Sequence, residues 1–417
     1  MSIGYACLAL GLPNSQLRSC RLQNASPDKL YSLIQNNLAA LESIIDYNID
    51  NGIELYRISS DLIPFGSSVA LDLPWENRFA EDFSRLGQKI KNSQMRVSLH
   101  PGQYTVLNSP KEDVVRRAVL DLDYHAAILD ILGLDSSHKI ILHIGGGYGD
   151  KESAKARFLK NYEQLSDSVK QRLIIENDGS IYNIEDVLEI SASAGIPVVY
   201  DNLHNQTNPS PSFSTDAYWI SQAGKTWKSK DGCQKIHYSQ QDPDKSVGAH
   251  SPTIELSVFL DFYQKLPDPQ IDIMLEVKDK NVSALKCINA LSRREIKALE
   301  KEWSLYKYLI LEKSPQAYQE IRNLLKNKDD YPVLEFYQIV ERVFDLDMNT
   351  PYAANAAEHV WGHFKNQATK AEALVYKKNF DKFMKDETKL PALKRQLLRL
   401  GNKYKDDYLL HSYYFYL

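Results

Sequence analysis

The chain has 417 residues, 43% of them hydrophobic and 25% charged, with a net charge of −4. This is an ordinary globular composition, long enough for one large domain and a smaller one. The four cysteines (Cys7, Cys20, Cys233, Cys287) are scattered, without a CxxC pair. That excludes a disulfide framework and a zinc-thiolate site and fits a reducing cytoplasm. No apolar run is long enough to span a bilayer.

Taken in chain order, short β-branched and apolar runs alternate with longer helical patterns. The runs are IGYACLA (3–9), IELYRIS (53–59), MRVSLH (95–100), KIILHI (139–144), RLIIEN (172–177), IPVVYD (196–201), QKIHYS (234–239) and IDIMLEV (271–277). The first follows no basic segment, so it reads as a strand and not as a signal peptide. Between the runs, segments such as 27–50, 76–93, 111–132, 151–170 and 252–266 repeat their apolar residues every three or four positions, the helical period. Eight strand–helix repeats predict α/β architecture, a closed (β/α)8 TIM barrel over residues 1–295. An open doubly wound sheet is the alternative, but no Gly-x-Gly-x-x-Gly turn follows the first strand. From 300 to 417 the strand signal disappears and an all-helical extension is expected. Residues 301–417 hold 19 Lys and Arg against 16 Asp and Glu, so residues 1–300 carry −7. The segment KLPALKRQLLRLGNKYK (389–405) has six basic residues and no acid, the pattern of a solvated helix face or of a phosphate-binding surface.

The strand ends carry the chemistry. His100, His143, Glu176, Asp201, His237 and Glu276 stand at or near the C-terminal ends of strands three to eight, with His204 and His250 in the loops that follow. Active sites of this fold form at that face. A lone histidine there is usually structural, but five with three acids form a ligand set. Imidazole mixed with carboxylate suits Mn²⁺, Zn²⁺ or Fe²⁺ better than Mg²⁺. Eight ligands suit two or three ions, and multinuclear sites hydrolyse phosphodiesters. A metal-dependent sugar isomerase or epimerase is the rival. Asn177 and Asp178 are candidate supports for the ligands. Lys235 and Lys278, two residues from His237 and Glu276, are expected on the same inward face. The turn HIGGGYGDKE (143–152) could offer backbone N–H groups to an anion.

Several separated motifs, YRISSDLIPFGSS, SLHPGQYTVLNSP, HIGGGYGDKE, IENDGSIY, DNLHN and KIHYS, resemble those of the UV damage endonucleases over residues 3–290. The resemblance implies a TIM barrel with a cluster of divalent ions, manganese foremost, with Zn²⁺, Co²⁺ or Mg²⁺ as substitutes. It implies incision of double-stranded DNA immediately 5′ of cyclobutane pyrimidine dimers and 6–4 photoproducts, leaving 3′-hydroxyl and 5′-phosphate ends. The implied ligands are His100, His143, Glu176, Asp201, His204, His237, His250 and Glu276; Glu176, Lys235, His237 and Glu276 carry the catalytic roles. Lys235 matches a lysine that the family can carboxylate. Gln103 and Tyr104 match a pair that probes the duplex where the lesion is flipped out, and Tyr5 matches a tyrosine near it. The enzyme is then expected to act as a monomer in the bacterial cytoplasm, at the nucleoid, without membrane or nucleotide cofactor. An apurinic-site endonuclease on the same barrel is the alternative within this mechanism. Ala9, Ser68 and Leu203 depart from the family pattern, the first two where lesion contact is expected. The helical run beyond residue 350 resembles a small bacterial helical domain of unknown function.

Overall fold

The computed structural model describes residues 1–212 and 214–417. It divides into two compact units: Met1–Ala9 with Asn14–Leu285, and Leu10–Pro13 with Lys286–Leu417. The first unit contains eight strands: β1 (Ile3–Ala6), β2 (Leu55–Arg57), β3 (Arg96–Leu99), β4 (Lys139–His143), β5 (Leu173–Glu176), β6 (Val198–Val199), β7 (Lys235–Tyr238) and β8 (Asp272–Leu275). Every pairing is parallel, in the order β6-β5-β4-β3-β2-β1-β8-β7. A parallel bridge between Asp201 and His237 closes the ring, with the His237 amide donating to the Tyr200 carbonyl at 2.9 Å. This is a (β/α)8 TIM barrel. The sixth strand is shorter than its sequence run because Asp201 already caps the next helix, accepting the His204 amide at 2.8 Å.

The helices around the sheet begin and end where the residues dictate. Helix Pro27–Asn51 starts with Ser26 accepting the Lys29 amide and proline at its first position. It stops at Gly52, left-handed at φ 69°. Its buried residues, among them Leu30, Leu33, Ile34, Leu38, Leu41 and Ile45, recur at helical spacing.

Period-two alternation along the strands sorts the barrel interior into layers. Uppermost stand Arg57, His100, His143, Glu176, Asp201, His237 and Glu276. Two residues earlier on each strand come Leu55, Ser98, Ile141, Ile174, Val199, Lys235 and Met274, all buried. At the opposite end Arg96 pairs with Asp272 at 3.2 Å and Lys139 with Asp231 at 2.5 Å. A largely apolar layer, with the Lys235 amine and the Ser98 hydroxyl in it, therefore separates the upper polar cluster from these ion pairs.

The second unit is helical. Ala353, Ala356, Ala357 and Val360 of helix Thr350–Gly362 share one core cluster with Tyr308 and Leu311 of helix Ile296–Lys313. Phe383, Leu393 and Leu397 belong to it too. All four cysteines are free. Among the described residues no helix is long and apolar enough to cross a membrane.

Candidate metal centre

Glu176, 1% exposed at the end of β5, is the hub of the upper layer. One carboxylate oxygen lies 3.2 Å from His100 Nε2 and 3.8 Å from His143 Nε2. The other lies 2.7 Å from His237 Nδ1 and 3.7 Å from His204 Nδ1. Three ligand groups share it: His100/His143/Glu176, Glu176/Asp201/His204 and Glu176/His237/Glu276, with the donor atoms of each group within 4.8 Å of one another. His250 joins from the loop after β7, its Nε2 3.8 Å from Glu276. All eight predicted ligands thus come together.

Burial sets the protonation states. It pushes the Glu176 carboxyl up, but His237 and His143 outweigh it and hold the acid well below its usual range. Burial, aided by Arg57, lowers His237 to about 4, and burial lowers His143 and His250 as well. Those imidazoles are neutral, the form that binds metal. Burial would also lower His204, but Asp201, Glu176 and Glu276 lift it to about 9. Asp201 is driven up to about 7 by burial.

Two buried atoms of the cluster, His143 Nδ1 and Asp201 Oδ2, lack any hydrogen-bond partner among the described residues. Unsatisfied buried polar atoms call for an explanation, and a cation among these donors supplies one. The N/O donor set fits a site for more than one divalent ion.

Supporting contacts aim the ligands. His100 Nδ1 donates to the Pro101 carbonyl at 3.1 Å, leaving Nε2 toward Glu176. His204 Nδ1 donates to the Asn177 carbonyl at 2.9 Å, and the Asn177 amide exchanges two bonds with the Asp201 backbone. Asn177 is therefore the support expected of it. Asp178 instead accepts the amides of Ser180, Ile181 and Tyr182 and builds the turn.

Arg57 is the functional residue that the sequence reading missed, although it lies within a quoted motif. It pairs with Glu276 at 2.7 Å and donates to His237 Nε2 at 2.8 Å. The available signal was a charged residue ending an otherwise apolar buried strand.

Lys235 is buried in the layer beneath the cluster, and desolvation lowers its amine well below the usual lysine range. Lys278, expected beside it, points elsewhere: it is half-exposed and pairs with Asp242 at 2.7 Å. β8 has ended by then, and its alternation no longer applies. The glycine-rich turn also differs from expectation. The Asp150 carboxylate caps helix Lys151–Tyr162 through the Ser153 amide, filling the place an anion would take.

On the β3 loop, Gln103 is exposed and Tyr104 is 75% exposed. The Tyr104 ring lies over Gly102, where an added Cβ would stand 2.6 Å from it. Tyr5 is fully buried, donates to Asn48 at 2.8 Å and packs edge-on against Tyr56. It faces the helix behind β1 and not the barrel mouth. Ala9 and Leu203 are likewise buried, while Ser68 is exposed.

Residues 1–307 match the family model of UV-endonuclease UvdE, and residues 307–417 match a protein family of unknown function, DUF1722. A UV DNA damage endonuclease of Clostridium perfringens is 41% identical over 385 residues, covering 91% of this chain and 92% of its own. One of Bacillus velezensis is 33% identical over 269 residues, covering 64% of this chain and 83% of its own. The crystal structure of SacUVDE superposes with a TM-score of 0.66 at 35% identity, covering 72% of this chain and 99% of its own.

Proposed function

The chain belongs to the UV-endonuclease UvdE family, a DNA-damage endonuclease by that membership, and on this premise we propose the following reaction. It hydrolyses the phosphodiester immediately 5′ of cyclobutane pyrimidine dimers and 6–4 photoproducts in duplex DNA, leaving 3′-hydroxyl and 5′-phosphate ends. The observation that carries this reading is a three-group ligand cluster centred on Glu176, at the barrel end from which the exposed Tyr104 projects.

His100, His143, Glu176, Asp201, His204, His237, His250 and Glu276 would hold two or three divalent ions, Mn²⁺ foremost, with Zn²⁺, Co²⁺ or Mg²⁺ as substitutes. When bound, such a cluster supplies positive charge against a phosphate and lowers the pKa of nearby water. Glu176 fixes the imidazoles through its two oxygens, and Arg57 holds Glu276 and His237 in place. Burial lowers the Lys235 amine well below the usual lysine range, which favours the uncharged form that takes up carbon dioxide, and a carboxylated lysine there would add an oxygen ligand. Tyr104 and Gln103 would enter the duplex where the lesion leaves it. Extruding bases costs a few kcal/mol, least for damaged ones, and a stacked aromatic offsets part of it. The protein would work as a monomer on chromosomal DNA in the cytoplasm, without a nucleotide cofactor; four free thiols agree with that compartment.

The test is incision of an end-labelled duplex with one cyclobutane dimer, beside undamaged and abasic duplexes, in Mn²⁺ and in EDTA. Cleavage directly 5′ of the dimer is expected, abolished by EDTA and reduced at least ~100-fold by Glu176→Gln. Cutting the abasic duplex alone would make the protein an apurinic-site endonuclease. No cutting of any duplex, with ketose–aldose turnover instead, would make it a sugar isomerase.

A further inference from the structure

Residues 365–405 hold twelve Lys and Arg against four Asp and Glu, in a chain whose net charge is −4. Their centre is a pair of helices, Lys370–Phe383 and Leu390–Tyr404. Tyr376 and Phe383 of the first helix, and Leu393, Leu397 and Leu400 of the second, point into one core cluster. An Asn379–Gln396 bond of 2.6 Å ties the two helices. Because both inner faces are spent on the same core, the outer faces carry the charge.

Three of the twelve cations are neutralised within the unit: Lys394 by Glu312 at 2.8 Å, Lys403 by Glu372 at 2.5 Å and Lys389 by Asp386 at 3.1 Å. The other nine are exposed and form no ion pair among the described residues. They include Lys377, Lys378 and Lys382 along one helix, Lys385 just past its end, and Arg395 with Arg399 one turn apart on the next. A merely solvated face interleaves both signs, as i,i+4 partners of opposite charge stabilise a helix and like charges repel. Here Asp381 stands among Lys377, Lys378 and Lys382 with no ion pair to any of them among the described residues, and the cations outnumber the acids twelve to four.

We infer that this helical hairpin is a second DNA-binding surface, which grips the phosphates of duplex DNA without regard to sequence or damage. The inference rests on the reading that the chain acts on DNA. A linear polyanion answers a row of cations at helical spacing, with both phosphate strands in reach of two adjacent helices. Sharing one chain with a DNA endonuclease makes the second contact intramolecular, so even weak grip raises residence on the substrate. An anionic membrane is the competing partner, since Leu374 and Met384 are exposed beside the cations.

The full-length protein and its Lys378→Gln/Lys382→Gln/Arg395→Gln/Arg399→Gln variant are compared by fluorescence anisotropy on undamaged duplex in EDTA, across a salt series. Each phosphate contact contributes ~0.9 to the slope of log affinity against log salt, so the variant's slope should be shallower by ~2–4. KM for the dimer duplex should rise several-fold with kcat unchanged. A slope equal to wild type would overturn the inference. So would loss of binding to phosphatidylglycerol vesicles with no change on duplex, which would assign the surface to a membrane. Far-UV circular dichroism checks the fold, and the pair Lys378→Glu/Arg395→Glu repeats the slope measurement with two sites. If the slope changes although dimers are not incised, the photoproduct reading fails and this surface stands. If dimers are incised and the slope is unchanged, the reverse holds.

Discussion

Arg57 brings the positive charge into the upper layer of the barrel, against the ionised Glu276 and Glu176. Its guanidinium pairs with Glu276 and donates to His237, so its loss leaves a buried carboxylate unanswered. Breaking such a pair from one side costs ~3–5 kcal/mol. In EDTA, Arg57→Met should therefore melt several degrees below wild type. Mn²⁺ should close much of that gap by bringing cations beside Glu276, and thermal melts with and without metal measure both effects. Glu302 is a buried acid of the helical unit. Burial raises it to about 7, with Tyr337 donating at 3.3 Å. A raised acid contributes stability that is full below its unfolded pKa and is lost as pH rises through the folded one. Glu302→Gln should thus be more stable than wild type at pH 8 to 9, by up to ~3 kcal/mol, with the gain vanishing toward pH 4.5. Denaturant midpoints across that range decide it.

Asp201 serves two elements at once. It ends the sixth strand run as a ligand candidate and caps helix Asn202–Thr207 through the His204 amide. Asparagine can cap as well as aspartate but brings no negative charge. Asp201→Asn should therefore keep the melting temperature of the metal-free protein, or raise it, because the buried carboxylate is already driven up to about 7. The same variant should lose most of the stabilisation that Mn²⁺ confers. Asp201→Ala should lose the cap too, at about 1 kcal/mol. On the β3 loop, the Gly102 contact makes Tyr104 the part that must move if a Cβ is added.

At the scale of the molecule, the chain divides into two compact units, and each is expected to unfold as a unit. The proposed metal ligands all lie in the first, so ligand linkage is expected to act on its transition alone. Calorimetry with rising Mn²⁺ should show one component moving upward and another staying in place. A single transition that moves as a whole would refute that independence.

Much of the site was legible because β-strand geometry is local. Alternation by two put His100, His143, Glu176 and His237 on one face with the strand ends, and their residue types are those that could hold a metal. Arg57 went unread because it is no ligand type; only the closed sheet shows which acid, two strands away, it answers. Tyr5 shows another limit: alternation says that it opposes Gly4 and Ala6, but not which of the two faces lies inside. Closure of the sheet, through the Asp201–His237 bridge, decides that. Lys278 and the Asp150 cap lie beyond strand ends, where the period lapses and local hydrogen bonds take over. Element type, the ligand inventory and the basic helical segment were thus present in the sequence itself, since dihedral preference and side-chain chemistry act over a few residues. Inside and outside, the sharing of Glu176 among three groups, and the cations left unpaired arise only when distant segments meet, because each depends on contacts between residues far apart in the chain.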